Sequence, residues 1–122
     1  MMTRDMLIYN CMVVHRKNDQ RADRLFQALA DTTRRDILMR CLQGENSVST
    51  LASFYPMSFA AVQKHVAVLE RTGLVTKRRR GRQQLVRGDV ATVHLTFELL
   101  EQIEAVWRSR LDRFAEILMQ NR

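Results

Sequence analysis

Glycine is scarce in this chain, four residues in 122, and none of the four belongs to a phosphate-cradling loop. Histidine is scarcer still, at three residues, and no dense group of histidines and acids and no nucleophile elbow is present. Catalytic residues are therefore not expected. Two cysteines, Cys11 and Cys41, are too few for a disulfide framework, and their dissimilar surroundings do not suggest a pair, which suits a reducing cytoplasm. No stretch approaches the roughly 18 apolar residues of a membrane span. The start, MMTRDMLIYNCMVV, is mildly apolar, but Asp5 and Asn10 interrupt it and no small-residue cleavage site follows, so no signal peptide is expected. Internal repeats and low-complexity tracts are missing as well. What is there is one domain's worth of chain, 46% hydrophobic, enough for a single core.

Acid is also missing from one particular place. Residues 71–88 hold Arg71, Lys77, Arg78, Arg79, Arg80, Arg82 and Arg87 with no Asp or Glu among them. The chain has 20 Lys and Arg against 13 acids, so the bases outside this segment are matched and the net charge of +7 is concentrated inside it. So many like charges around a single turn glycine, Gly81, repel one another without a partner. The pattern points to a local polyanion site rather than a generally basic surface.

Just before this run lies SFAAVQKHVAVLERTG, residues 58–73. Phe59, Val62, Val66 and Leu69 recur at helical spacing and mark a side facing a core. The opposite side carries Ala60, Lys64, Ala67 and Arg71, with Gln63 on its shoulder, so small residues alternate with long hydrogen-bonding and cationic ones. Ser58 is placed to cap the N-terminus and Gly73 to end the helix in a left-handed conformation. A slim helix followed by a basic hairpin is the arrangement of a DNA reader.

The remaining segments fall into order around it. Residues 1–20 read as an N-terminal extension in which Leu7, Ile8, Tyr9, Val13 and Val14 fit an extra strand, an extra helix or loose chain equally well. Residues 21–122 read as the DNA-binding domain. A short amphipathic helix is expected over 21–30, with Ala22, Leu25, Phe26 and Leu29 on one face. Asp31 caps a second helix over 32–42, with Ile37, Leu38, Cys41 and Leu42 inward. Ser47 or Ser49 starts a brief third helix with Val48, Leu51, Ala52 and Tyr55 inward, and the turn through Pro56 joins it to the helix at 58–72. Strands follow on either side of Gly81 and Arg82. The longest helix, over 96–119, carries Leu100, Ile103, Trp107, Leu111, Phe114 and Leu118 in one stripe, widened by Leu99, Val106 and Ile117. That is more apolar surface than one small domain covers, so a dimer is expected through this helix and the one bearing Leu25 and Phe26. The fold class is mainly α with a small β-hairpin, ordered α-α-α-α-β-β-α: a dimeric winged helix-turn-helix.

LFQALADTTRRDIL, SVSTLASFYPMSFAAVQKHVAVLERTGLV and the basic RRRGRQ wing, taken together, resemble the ArsR family of bacterial winged-helix repressors over roughly residues 21–122. The ending WRSRLDRF resembles the branch of that family without metal-sensing cysteines. The resemblance implies a homodimer joined through its first and last helices that binds a partly palindromic operator and blocks transcription. Metal sensors of the family carry a cysteine pair in an ELCVCDL-like segment; the matching stretch here, SVSTL, has no thiol. The other common metal site wants Asp-x-His at the start of the last helix, but His94 follows Thr92 and no second histidine comes after it. His94 with Glu98 reads as a solvent-exposed helix pair, and no metal or other cofactor is expected.

Within double-stranded DNA, Gln63 suits an adenine edge and Lys64 suits guanine O6 and N7. Ser58, at the helix N-terminus, suits a phosphate, and Ala60 a thymine methyl. Arg79, Arg80 and Arg82 would lie along the backbone or in the adjacent minor groove. His65 reads as a packing or phosphate-touching residue and Cys41 as core; Cys11 is the one thiol with any opening for a redox role. A sequence-neutral architectural binder and a winged helix used for protein contact are the alternatives. The inducing signal stays open between a small molecule in the dimer cleft, a thiol event and dilution alone.

Overall fold

The computed structural model describes residues 16–121. The open question over residues 1–20, and with it Cys11, falls outside those residues except for 16–20, which form the start of the first helix. In chain order the elements are α1 (Arg16–Leu29), α2 (Thr32–Gln43), β1 (Asn46–Ser47), α3 (Val48–Ala52), α4 (Phe59–Arg71), β2 (Val75–Arg80), β3 (Gln83–Gly88) and α5 (Val90–Gln120). The expected order of helices and hairpin is found, with one addition. Asn46 and Ser47 pair antiparallel with Val86 and Leu85, so β3 becomes the centre of a three-stranded sheet in the order β1-β3-β2. Two residues are too short a strand to carry a period-2 pattern.

The core forms where α1, α2, α3, α4 and the root of the sheet meet. Leu25, Ile37, Leu51, Val62, Val66, Leu69, Leu74 and Val86 have no exposed surface at all. Burying side chains of this size contributes roughly 1.5 to 3 kcal/mol each before ordering costs. Helix ends are set by local chemistry. Asp31, Ser47 and Ser58 each accept from the backbone NH three residues on, capping α2, α3 and α4. Between the two candidate starts of α3, Ser47 is the one used.

Helix α4 ends in a Schellman motif: Gly73 N donates to Glu70 O and Leu74 N to Leu69 O, with Gly73 at φ +84°. Gly81 takes φ +62° at the first position of the two-residue loop between the paired Arg80 and Gln83. A side chain that requires negative φ would be strained at either place.

Three expectations are corrected. Helix α5 starts at Val90, six residues before the expected position 96. Its first turns are rich in β-branched residues, which read poorly as helix, yet Thr92 and Thr96 are buried and satisfied: Thr96 Oγ1 donates to Thr92 O at 3.0 Å and Thr92 Oγ1 to Asp89 at 2.7 Å. Leu42, expected inward, is 36% exposed, because it lies at the rim of the core against Gly88 rather than in it. Phe59, placed on the buried side of α4, is 46% exposed. As the first helical residue it projects beyond the end of the buried stripe, and at about 100° per residue it falls between that stripe and Gln63.

Beyond Leu99 the last helix leaves the core, and every residue from 100 to 121 is exposed or nearly so. Among the described residues no helix is long and apolar enough to cross a membrane.

Candidate nucleic-acid interface

Helix α4 has three sides with different work. Val62, Val66 and Leu69 bury into the core. On a second side His65 and Val68 face α1 and α2, where Arg34 forms a junction: its Nε donates to Ala28 O at 2.7 Å, one Nη to Gln27 O at 2.9 Å, and the other lies 3.4 Å from His65 Nδ1. Arg34 thus bonds carbonyls of the last turn of α1, one of which, Gln27 O, also accepts from Ala30 N, and touches α4 at the same time. Asp31 Oδ2 lies 3.8 Å from the same His65 nitrogen. The amide of Arg34 bonds the Asp31 carboxylate and holds it below the usual range, with His65 and the Arg34 guanidinium adding to the effect. His65 is therefore a half-buried packing residue, one of the two readings expected for it.

The third side is open. Ala60, Gln63 and Lys64 are solvent-facing, and among the described residues Lys64 meets no carboxylate. Ser58 is exposed at the head of this side, and its hydroxyl accepts from Ala61 N at 3.1 Å. The cap leaves the Ser58 oxygen at the positive end of the helix dipole.

Behind this helix the turn is braced. Asp36 on α2 accepts from the Tyr55 hydroxyl and from Arg40 Nε, and the Arg40 guanidinium stacks 3.8 Å above the Phe54 ring. The Tyr55 bond, with that of Arg40, depresses the Asp36 pKa, while burial and the neighbouring carboxylate push the Tyr55 phenol up to about 12. Residues 54 and 55 sit in the turn before α4, so this network fixes the approach of the helix.

The wing sorts its bases by face. Strand alternation puts Val75, Lys77 and Arg79 on the side of α4, with Val75 buried and Lys77 Nζ 3.5 Å from Glu70 on that helix. Thr76, Arg78 and Arg80 take the far side. Arg78 is gripped in bidentate fashion by Glu45, Nε to Oε2 at 2.9 Å and Nη2 to Oε1 at 2.7 Å, and this pair lowers the Glu45 pKa. Two bases of the acid-free run are thus matched by acids outside it, Lys77 by Glu70 just before the run and Arg78 by the sequence-distant Glu45. Among the described residues Arg79, Arg80 and Arg82, the three expected to touch DNA, meet no carboxylate within ion-pair distance. Gln63, Arg79 and Arg82 line one recess, so the helix and the wing present their unmatched groups together.

The expected dimer residues divide. Leu100, Ile103, Trp107, Leu111 and Phe114 are each about half exposed or more, an apolar stripe that no other described residue covers. Phe26 is half-buried, but Leu25 is wholly within its own subunit's core and cannot form part of an interface. His94 Nε2 lies 3.2 Å from Glu98 on an exposed stretch of α5, the surface pair expected. Cys41 is buried, and burial pushes its thiol up to about 11. Sequence reading missed Arg34, Glu45, Asp36 and the wing residue Gln84. For Asp36 with Arg40 the i, i+4 spacing was an available signal; Arg34 bonds carbonyls six and seven residues back across the α1–α2 turn as well as His65, and the partners of Glu45 and Gln84 lie 33 residues away or on a neighbouring strand, so no periodic spacing marks them.

No family model matches the chain. Among curated proteins it is 33% identical over 96 residues to the HTH-type transcriptional regulator Rv2034 of Mycobacterium tuberculosis, covering 79% of this chain and 87% of that one. It is 33% identical over 87 residues to the transcriptional activator HlyU of Vibrio cholerae, covering 71% and 81%. Among solved structures it resembles an ArsR-like transcriptional regulator from Rhodococcus sp. RHA1 at TM-score 0.72 and 34% identity, over 83% of this chain and 95% of the other. The homodimeric winged helix-turn-helix DNA-binding domain of a Mycobacterium bovis protein matches at TM-score 0.62 and 28% identity, over 75% and 83%.

Proposed function

The chain belongs to the ArsR family of winged helix-turn-helix transcriptional regulators, and from that premise we propose that it is a homodimeric repressor of its own operator. The observation that carries the reading is the shared recess: Gln63 of α4 and the unmatched Arg79 and Arg82 of the wing face the same space. Ala60, Gln63 and Lys64 then enter the major groove, Gln63 on an adenine and Lys64 on a guanine, with Ala60 small enough to admit a thymine methyl. Ser58 meets a phosphate beside the helix N-terminus. Arg79, Arg80 and Arg82 hold the backbone or the neighbouring minor groove and supply affinity more than sequence choice.

A second copy covers the stripe from Leu100 through Ile103, Trp107 and Leu111 to Phe114, with Phe26 at its edge. Homodimerisation of the M. bovis domain supports this arrangement. The paired recognition helices then reach successive major grooves on one face of the duplex, and half-sites fall about one helical turn or a multiple of it apart. A bound dimer overlapping a promoter excludes polymerase, which favours repression, whereas the relative HlyU bears the name of an activator. The protein acts in the cytoplasm, where its DNA lies, as a regulator and not a catalyst; a small-molecule effector in the dimer cleft is compatible with it.

The test compares binding to the chain's own upstream DNA and to random duplex at fixed salt. Gln63→Ala should lose roughly 1 to 3 kcal/mol on the first and almost nothing on the second. Equal losses on both would refute base reading and return the chain to the class of sequence-neutral binders.

A further inference from the structure

Between α4, the start of α3 and the wing lies a recess of about 290 Å³, bounded by Ser49, Phe59, Gln63, Arg79, Arg82 and Gln84. It is small for a drug-sized ligand, and among the described residues no carboxylate lines it. Its polar groups are chiefly guanidiniums, carboxamides and a hydroxyl, an array rich in donors. Strand register explains the convergence. Arg79 pairs with Gln84, so both project on the face that buries Val75 and Val86, toward α4 and not toward solvent on the far side. Phe59 and Gln63 stand one turn apart on the helix and complete the opposite wall. The half-exposed ring of Phe59 is the single large aromatic element at the rim, and the core has not absorbed it.

An anion flanked by an apolar body matches this lining, and duplex DNA offers one in the phosphodiester joined to its deoxyribose. A helix in the major groove and a wing at the adjacent minor groove stand on either side of one sugar-phosphate strand, which crosses the gap between them. We propose that the recess is the seat of that strand: Arg79 and Gln84 hold one phosphate per half-site, and Phe59 packs on the neighbouring sugar. Gln63 stands at the lip toward the major groove. The seat rests on the DNA-binding reading above, and it adds Gln84 and Phe59, neither at the wing tip, to the groups that fix the protein's register on the duplex.

The test uses the full chain and a duplex enriched from a random-sequence pool by the wild-type protein, with single neutral methylphosphonates placed along one strand. One position per half-site should be most sensitive to neutralisation. Gln84→Ala should weaken binding to the unmodified duplex about tenfold, as expected for one hydrogen bond to a charged group, and should leave the salt slope unchanged. At the sensitive position the methylphosphonate and Gln84→Ala should be less than additive, and elsewhere additive. Gln84→Glu should cost more than Gln84→Ala on the charged duplex, with the excess removed only when that same phosphate is neutral. Phe59→Leu should reduce affinity without moving the sensitive position. Gln84 is exposed on a hairpin strand, so its variants are expected to fold. Uniform additivity at every phosphate, or no loss on Gln84→Ala, overturns the seat while leaving DNA binding intact. A pool that enriches no sequence overturns the DNA-reading premise, and the seat with it.

Discussion

Glu45→Gln should make the protein bind DNA more tightly and less selectively. Glu45 takes both ends of the Arg78 guanidinium, at 2.9 and 2.7 Å, and so occupies a base on the same face of the wing as Arg80. The Arg78 side chain remains 61% exposed, so the pair is a surface interaction and contributes only about 0.2 to 1 kcal/mol to stability. Removing the carboxylate charge should therefore leave the fold in place and release a cation toward the duplex. One additional phosphate contact steepens the log-log salt dependence by about 0.9, which corresponds to an extra weakening of about 3.5-fold between roughly 50 and 200 mM salt. Titrations by fluorescence anisotropy at several salt concentrations, on operator and on random duplex, measure the slope directly. A thermal melt run alongside separates a loosened wing from an added phosphate contact. An unchanged slope on both duplexes would mean that Arg78 does not reach DNA when released, and that Glu45 has no part in selectivity.

Arg80→Ala combined with Arg82→Ala should weaken binding to every duplex and flatten the salt slope by roughly one for each phosphate that is no longer neutralised; an unaltered slope would mean that these two side chains do not touch the backbone. Tyr55 links stability to alkaline pH. Its phenol is pushed up to about 12 in the fold, so its stabilisation is present below the ordinary value of 10.0 and disappears as pH rises from there through about 12. Tyr55→Phe should cost about 1 kcal/mol at neutral pH and make urea stability decline less over that alkaline interval; parallel declines would deny the raised phenol, and an unchanged stability at neutral pH would deny the bond to Asp36. Trp107→Glu places a charge in the middle of the apolar stripe; by sedimentation the variant should be monomeric, and a stable dimer would place the interface elsewhere.

Legibility in the sequence followed the range of the interaction. Helix α4 was readable end to end because Ser58, Val62, Val66, Leu69 and Gly73 act within a few residues of one another, and each holds the position its chemistry suggests. The hairpin was readable from Gly81, and the apolar stripe of α5 from its periodicity. Phe59 was misplaced because periodicity reports an angle around a helix but not whether a neighbour exists at that height. Val90 to Thr96 hid the start of α5 behind β-branched residues whose hydroxyls are satisfied only in the packed structure. The acid-free run held its count but not its meaning. Glu45 and Glu70, both outside the run, match Arg78 and Lys77, and of the five bases left over Arg79, Arg80 and Arg82 cluster at the wing tip. Leu25 and Phe26 looked alike as interface residues until the core claimed the first. Arg34, which ties α1, α2 and His65 together, bonds back across the α1–α2 turn and, 31 residues on, reaches His65, and no helical or strand period marks it.

The most direct measurement is a hydroxyl-radical footprint of the full chain on its own upstream DNA, with the protein-to-duplex ratio determined in the same samples. Paired recognition helices require two protected patches on one face of the duplex, about one helical turn or a multiple of it apart, with two chains bound. A single protected patch held by one chain, or protection spread evenly over any sequence, would contradict them.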